Sequence, residues 1–393
     1  MSRGAATAAR RGVAWGGTDA PSRLGTGWEP AVLLFITTVL LCIGIVSVYS
    51  ASSVMAQSSG LQDYHFVVRQ ATGAAAGFAL LVAMAFLDYR RLRIMAWPIL
   101  IVLLVALTLM IVPGTEDVAQ VRNGAGRWLR VGPVAVQPSE FAKLALIVWT
   151  AALAVKKQEV LSSLSRGLLP FLVVWAAVSV LIFLQPSMSA ALLVVLLSAL
   201  VIFAAGARIG HFILLAIVGV PLLWSQVGAA AYRMRRMIAF LDPAQDPAGI
   251  SYQITQSLIA IGSGGIFGRG FGSGVQKFGY LPEPHNDFIY AMISEEWGFI
   301  GGFSIIALFA VFALVGYRIA RQAPDLFGFL LAVGVTNLIA VQAMLHIAVN
   351  LALIPTTGVT LPFLSYGRSS LLVCLIGVGI LINIARRSGE VAE

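Results

Sequence analysis

Long apolar stretches, parted by short polar ones, run through most of the chain. A helix that crosses a bilayer needs about 20 mostly apolar residues. Ten runs meet or approach that length: 30–50, 66–87, 93–113, 137–155, 168–184, 187–205, 210–228, 288–316, 325–350 and 368–386. The pattern predicts an all-α integral membrane protein with ten transmembrane helices and both termini cytoplasmic. One membrane domain spans 29–387, between a disordered tail at 1–28 and a short one at 388–393.

The segments expected inside are basic. They hold Arg90, Arg91 and Arg93; Lys156, Lys157 and Arg166; Arg208; Arg318 and Arg321; and Arg386 and Arg387. Lysine and arginine collect in short cytoplasmic loops, so an even number of spans fits. Two outer segments, 114–136 and the large loop 229–287 between the seventh and eighth spans, also carry cations: Arg122, Arg127 and Arg130 in the first, Arg233, Arg235, Arg236, Arg269 and Lys277 in the second. Long loops escape the orientation rule. These charges are either a solvated loop surface or a site for an anion, since arginine forks and lysine point charges suit phosphate.

Composition sharpens this picture. The chain is 59% hydrophobic and 11% charged, with mean hydropathy +0.90, where soluble domains carry roughly 25% charged residues. The net charge of +9 belongs to membrane topology; no soluble basic domain exists to bind nucleic acid. Cys42 and Cys374 each lie in an apolar run and read as packing residues.

Against this background the stretch LPEPHNDFIYAMISEEWG, 281–298, gathers Glu283, His285, Asp287, Glu295 and Glu296. Asp287 stands where the loop enters a helix. It is either a cap or a partly desolvated general base. Glu295 and Glu296 lie too deep to cap, and ionisable groups at such depth face a cavity or a partner. Lys143 is an available partner, although Glu140 stands three residues before it and also pairs with it. Gln342, His346 and Asn350 share one helix face, for interhelical hydrogen bonds or a groove. The glycine run GSGGIFGRGFGSG, 262–274, follows no strand and is no Walker loop. It reads as a mobile flap, with the neighbouring ITQSLIAI lying as an interfacial or re-entrant helix.

Four long stretches resemble the signatures of the SEDS family (shape, elongation, division and sporulation proteins). They are NGAGRWLRVGPVAVQPSEFAKL at 123–144, YQITQSLIAIGSGGIFGRG at 252–270, GYLPEPHNDFIYAMISEEWGFIGG at 279–302 and IPTTGVTLPFLSYGRSS at 354–370; VYSASS at 48–53 fits the end of the family's first helix. The resemblance implies an inverting glycosyltransferase of the bacterial cytoplasmic membrane. Such an enzyme polymerises lipid II into the growing glycan strand and releases undecaprenyl pyrophosphate. Its partners would be a class B penicillin-binding transpeptidase and divisome proteins at the septum, since GSGVQKFGYLPE and TTGVTLPFLSYG resemble the cell-division branch more than the elongation branch.

By the same resemblance Asp287 is the catalytic residue. Substrate would be bound by Trp128, Glu140, Lys143, Gln253, Gln256, Ser257, Glu283, His285, Glu296 and Ser365, with Arg127, Arg130, Arg233, Arg235, Arg236 and Lys277 supplying charge to the leaving group. No metal cluster is legible; a divalent cation (Mg or Mn) is the one cofactor the chemistry leaves room for. Three positions depart from the family pattern. Asn286 replaces threonine, Ser187 stands where an aspartate is common, and Arg368 replaces the second glycine of SYGGSS. Arg368 adds a phosphate contact or points to the interface. A lipid II flippase, an elongation-type polymerase and a recruiting scaffold are the rival readings. A flippase would set polar groups at both faces, and a scaffold would leave the acids idle.

Overall fold

The computed structural model describes residues 27–112, 119–122, 125–132, 134–228, 231–242 and 249–390. Nearly all of the expected tail at 1–28, the last residues 391–393 and parts of both outer segments lie outside the described residues. Twelve helices occur in chain order: α1 (Trp28–Ser58), α2 (His65–Phe86), α3 (Arg90–Leu109), α4 (Pro138–Lys156), α5 (Leu169–Leu184), α6 (Met188–Ala204), α7 (Ile209–Gly228), α8 (Ala231–Leu241), α9 (Ile250–Ser263), α10 (Ile289–Gln322), α11 (Leu326–Asn350) and α12 (Arg368–Glu390). Among the described residues nine are long and apolar enough to cross a membrane, and α6 is a shorter apolar helix. These ten coincide with the expected runs; α8 and α9 lie in the large loop. Helices α4, α11 and α12 form the interior, α2 packs on α12, and α10 packs on α11.

One element departs from the all-α expectation. Strands β1 (Ala119–Arg122), β2 (Ala125–Val131) and β3 (Val134–Val136) form an antiparallel sheet with β2 central. Gly132, at φ 59°, helps to turn β2 back toward β3. The runs AGRWLRV and VAV supply the branched and aromatic residues that suit strands.

The two ends of the bundle differ. At one end, ion pairs bind helix termini: Arg318 to Glu29 at 3.0 Å, Arg90 to Asp325 at 3.0 Å and Arg387 to Asp88 at 3.4 Å. The basic connections are at this end. The other end carries the sheet, α8, α9 and the loops 264–288 and 351–367.

Helix α10 is broken near its start. Gly298 adopts φ 69° and ψ −164°, a region essentially confined to glycine. The break frees four main-chain groups, and the glycine run takes them up. Phe299 and Ile300 donate to the carbonyls of Gly265 and Ile266 at 2.8 and 3.2 Å, while Arg269 and Gly270 donate to the carbonyls of Glu295 and Glu296, both at 3.0 Å. The side chains add to the join: Glu295 accepts from Val275 N at 2.8 Å, and Glu296 accepts from Ser50 Oγ. The expected flap is therefore bonded to α10 instead of standing free. Helix α9 leads into it with Ser251, Ile254, Ser257 and Ala260 buried. The run needs glycine because two backbones meet here: a Cβ on Gly268 (φ 84°) would come within 2.1 Å of the Glu296 carbonyl oxygen.

Gly268→Ala is expected to destabilise the folded protein by at least about 2 kcal/mol, from backbone strain and collision together. Gly210→Ala, where nothing lies within 4 Å of the new methyl, is expected to be neutral. Thermal unfolding of both variants in detergent checks this.

Candidate active site

Asp287 lies two residues before α10. The preceding turn is closed by Asn286 N and Asp287 N, which donate to the Glu283 carbonyl at 3.1 and 3.2 Å. Asn350, at the end of α11, clamps the same main chain: its Nδ2 donates to the Asp287 carbonyl at 3.1 Å, and its Oδ1 accepts from Ala291 N at 3.0 Å. From the other side Ser365 Oγ donates to the Asn286 carbonyl at 2.8 Å, and Tyr366 N donates to the His285 carbonyl at 2.9 Å. The backbone carrying Asp287 is thus held by two separate parts of the fold.

The Asp287 side chain is left for other work. Helix α10 has Phe288 as its N-cap, without a side-chain capping bond, and the carboxylate makes no hydrogen bond with any described residue. Burial first, and then neighbouring Glu283, push its pKa up to about 6 against the opposing pull of the Arg236 guanidinium. The capping alternative is therefore not taken up. His285 is buried as well, 3% exposed. Its ring packs against Phe66 and Tyr366 with centroids 4.8 and 5.5 Å away, and burial lowers its pKa to about 4. At neutral pH it is uncharged, so its 3.9 Å approach to Glu283 is no ion pair.

A cavity of about 940 Å³ opens beside Asp287. It brings together Trp128 and Arg127 from β2, Glu140 and Lys143 from α4, Arg233 and Arg236 from α8, Glu283 and His285 from the loop, and Arg368 from α12. Glu140 and Lys143 pair at 2.7 Å, and Lys143 also donates to Gln342 Oε1 at 2.6 Å. Lys143 is therefore not the partner of Glu295 or Glu296. Arg127 donates to the carbonyls of Gln185 and Pro186 and so ties the sheet to the α5–α6 turn.

Other expected site residues lie elsewhere. Glu296 and Lys277 pair at 3.4 Å, and Lys277 Nζ also donates to Ser50 Oγ at 3.3 Å and to the Gly272 carbonyl. Both serve the join between α1, the glycine run and α10. Ser257 bonds the Asn350 carbonyl at 2.8 Å, behind the cavity wall. Ser365 supports the loop, as described. Gln253 and Gln256 on α9 do not line the cavity, and Arg130 and Arg235 are exposed. Among the described residues no group of three or more His, Cys, Asp or Glu could hold a metal.

The structure adds groups that sequence reasoning passed over. Ser187 and Ser189 at the start of α6 line the cavity, as do Thr356 and Thr357. Asn286 Oδ1, Thr356 Oγ1 and Thr357 Oγ1 are buried without a hydrogen-bond partner, which leaves them open to a polar ligand. The threonines lie inside the quoted signature at 354–370; no spacing rule distinguishes them from loop residues. On the Gln342, His346 and Asn350 face, Gln342 and Asn350 bond to neighbouring helices, while His346 Nδ1 bonds with the Val359 carbonyl of the loop after α11.

A raised carboxyl pKa means that the folded state holds its proton more tightly than the unfolded chain does. Stability therefore falls as pH rises from about 4 to about 6 and stays lower above that. Asp287→Asn is expected to match the wild type near pH 4 and to exceed it by about 3 kcal/mol at pH 7. Unfolding in detergent across this range checks the sign; a variant less stable at pH 7 would show that the carboxylate has a stabilising partner.

The chain was compared with known proteins. Residues 31–390 match the family model of the FtsW, RodA and SpoVE cell cycle proteins. Stage V sporulation protein E of Bacillus subtilis is 43% identical over 357 residues, covering 91% of this chain and 97% of that one. A protein of Geobacter sulfurreducens named "Probable peptidoglycan glycosyltransferase FtsW" is 42% identical over 356 residues, covering 91% and 95%. Among solved structures, a chain of a peptidoglycan synthase complex that coordinates polymerization and crosslinking superposes with a TM-score of 0.73 at 26% identity, covering 91% and 97%. The rod shape determining protein RodA of Thermus thermophilus gives 0.65 at 28%, covering 90% and 95%. With residues 31–390 matched and relatives more than 40% identical over nine-tenths of the chain, the protein belongs to the FtsW/RodA/SpoVE family.

Proposed function

We propose that this protein is a peptidoglycan glycosyltransferase that polymerises lipid II at the outer face of the bacterial cytoplasmic membrane. The observation that carries the reading is the Asp287 carboxylate. It is unbonded, raised to about 6 and flanked by Arg236, and it lines a cavity of about 940 Å³. The basic end of the bundle would face the cytoplasm, which puts the cavity outside, where glycan strands are made.

In the reaction Asp287 takes the proton of a sugar 4-hydroxyl on the acceptor. The freed oxygen forms a bond to the anomeric carbon of the donor as the bond to the pyrophosphate oxygen breaks. Configuration inverts, and the electron pair leaves with undecaprenyl pyrophosphate. Arg233 and Arg236, which line the cavity, would balance the charge that develops on the leaving group. The buried, unpartnered oxygens of Asn286, Thr356 and Thr357 suit sugar hydroxyls and amides. Asp287 and Glu283 are the carboxylates at hand for a divalent cation, which Mg²⁺ sites commonly supplement with substrate phosphate oxygens. The resemblance of the 272–283 and 356–367 segments to the division branch supports a role at the septum, beside a class B penicillin-binding transpeptidase and divisome proteins.

Asp287→Asn keeps the shape and removes the base. With purified lipid II and the reconstituted transpeptidase complex, it is expected to lower the polymerisation rate by about 10²–10⁴-fold, the usual worth of a general base. The wild-type rate is expected to rise with pH through an inflection near 6. Near-normal polymer from the variant would overturn the assignment.

A further inference from the structure

The cations that line the cavity are not equally committed. Arg127 is bonded to two main-chain carbonyls. Lys143 is bonded to Glu140 and Gln342. Arg233 lies over the Phe183 ring at 4.4 Å and donates to the Gln226 carbonyl at 2.9 Å. Arg236 donates to the Thr356 carbonyl at 3.1 Å and acts on Asp287. Arg368 stands apart from them. Its guanidinium makes no hydrogen bond or ion pair with any described residue.

Its stem, by contrast, is seated. A Cβ on Gly73 of α2 would meet Arg368 Cγ at 3.0 Å, Cβ at 3.5 Å and Cδ at 3.6 Å, so the glycine leaves a notch that the side chain fills. The main chain on either side is fixed: Gln70 accepts from Gly367 N at 3.3 Å and donates to the Ser365 carbonyl at 3.0 Å, and Ser369 Oγ accepts from Gln137 N at 2.9 Å. A half-buried cation at the start of α12 is also poorly placed for that helix, whose N-terminal end is itself positive. Seated stem, free head and unfavourable field together call for an anion. His285, on the same side near Tyr366, has Nδ1 buried without a partner.

Arg233 and Arg236 rise from α8, whereas Arg368 is held against α2. The cavity therefore carries cations on two separate walls. Glycan polymerisation requires two lipid-linked sugars at once, each with its own phosphate charge, and like charges within one cavity repel unless each is separately matched. We propose that Arg368 forms a second anion-binding pole of this cavity and takes the phosphate or diphosphate of one lipid-linked substrate while Arg233 and Arg236 take that of the other. This rests on the transferase reading above.

The test uses the full chain in complex with its transpeptidase, in vesicles of neutral phosphatidylcholine and in vesicles with added anionic phospholipid. Wild type, Arg368→Gly and Arg368→Lys are compared for equilibrium binding of fluorescent lipid II and for KM and kcat of polymerisation. Arg368→Gly is expected to raise Kd and KM about tenfold, as for one lost charge-assisted contact, and to flatten their rise with salt. Arg368→Lys keeps stem and charge without the fork and falls between. The same defect is expected in both vesicle types. A defect confined to anionic vesicles would assign Arg368 to a phospholipid headgroup and overturn the proposal. Unchanged Kd and KM alongside normal polymer would also overturn it, leaving the transferase reading intact. Arg368-dependent binding with no polymer from the wild type would instead overturn the transferase reading and leave the anion pole standing.

Discussion

A helix cannot break inside a bilayer unless its freed N–H and C=O groups find other partners, because no water is there to take them. That constraint governs the end of the bundle that carries the site. Gly298 breaks α10, and the four groups released at the break are exchanged one for one with the backbone of the 264–270 segment. Everything nearby serves that exchange. The glycines let two main chains approach to contact, Glu295 caps the next turn of loop through Val275 N and Gln276 N, and Glu296 draws in Lys277 and Ser50. Such buried charges are unfavourable in isolation. Here each has a partner, and together they fix the first half of α10 against α1 and α9.

The site depends on this arrangement. The first turns of α10 position Asp287, so a rigid join at Gly298 sets where the carboxylate stands. Asn350 and Ser365 then hold its backbone without touching its carboxyl group. The result is a division of labour among scarce polar residues: one set satisfies the protein, and another is left unsatisfied beside a cavity. Asp287, Arg368 and the threonine hydroxyls at 356 and 357 belong to the second set, along the wall of the cavity.

Much of this was legible in the chain itself. The ten apolar runs reappear as ten apolar helices, nine of them long enough to span a membrane among the described residues, because bilayer thickness imposes a length that periodicity does not blur. Asp287, Trp128 and the Glu140–Lys143 pair were readable from motif and helical spacing. The rest was not, for definite reasons. The sheet at 119–136 is made of strands too short to show alternation. Glu296 and Lys277 look like site residues because charge in an apolar chain draws attention, yet the same scarcity makes them the natural pair to join distant segments. The glycine run reads as flexible when seen alone; only its partner, broken at Gly298, shows that its conformational freedom is consumed by close packing. The Asn350 clamp spans 63 residues of sequence, beyond the reach of any local rule.

The notch at Gly73 carries a consequence for how this chain can change. Because the stem of Arg368 occupies the space a side chain at 73 would need, the two positions are not free to drift separately. While arginine stands at 368, residue 73 is confined to glycine or little more; once 368 becomes small, 73 is released. The two positions are therefore coupled: a larger side chain on α2 at 73 would have to displace the arginine stem from the wall it now fills.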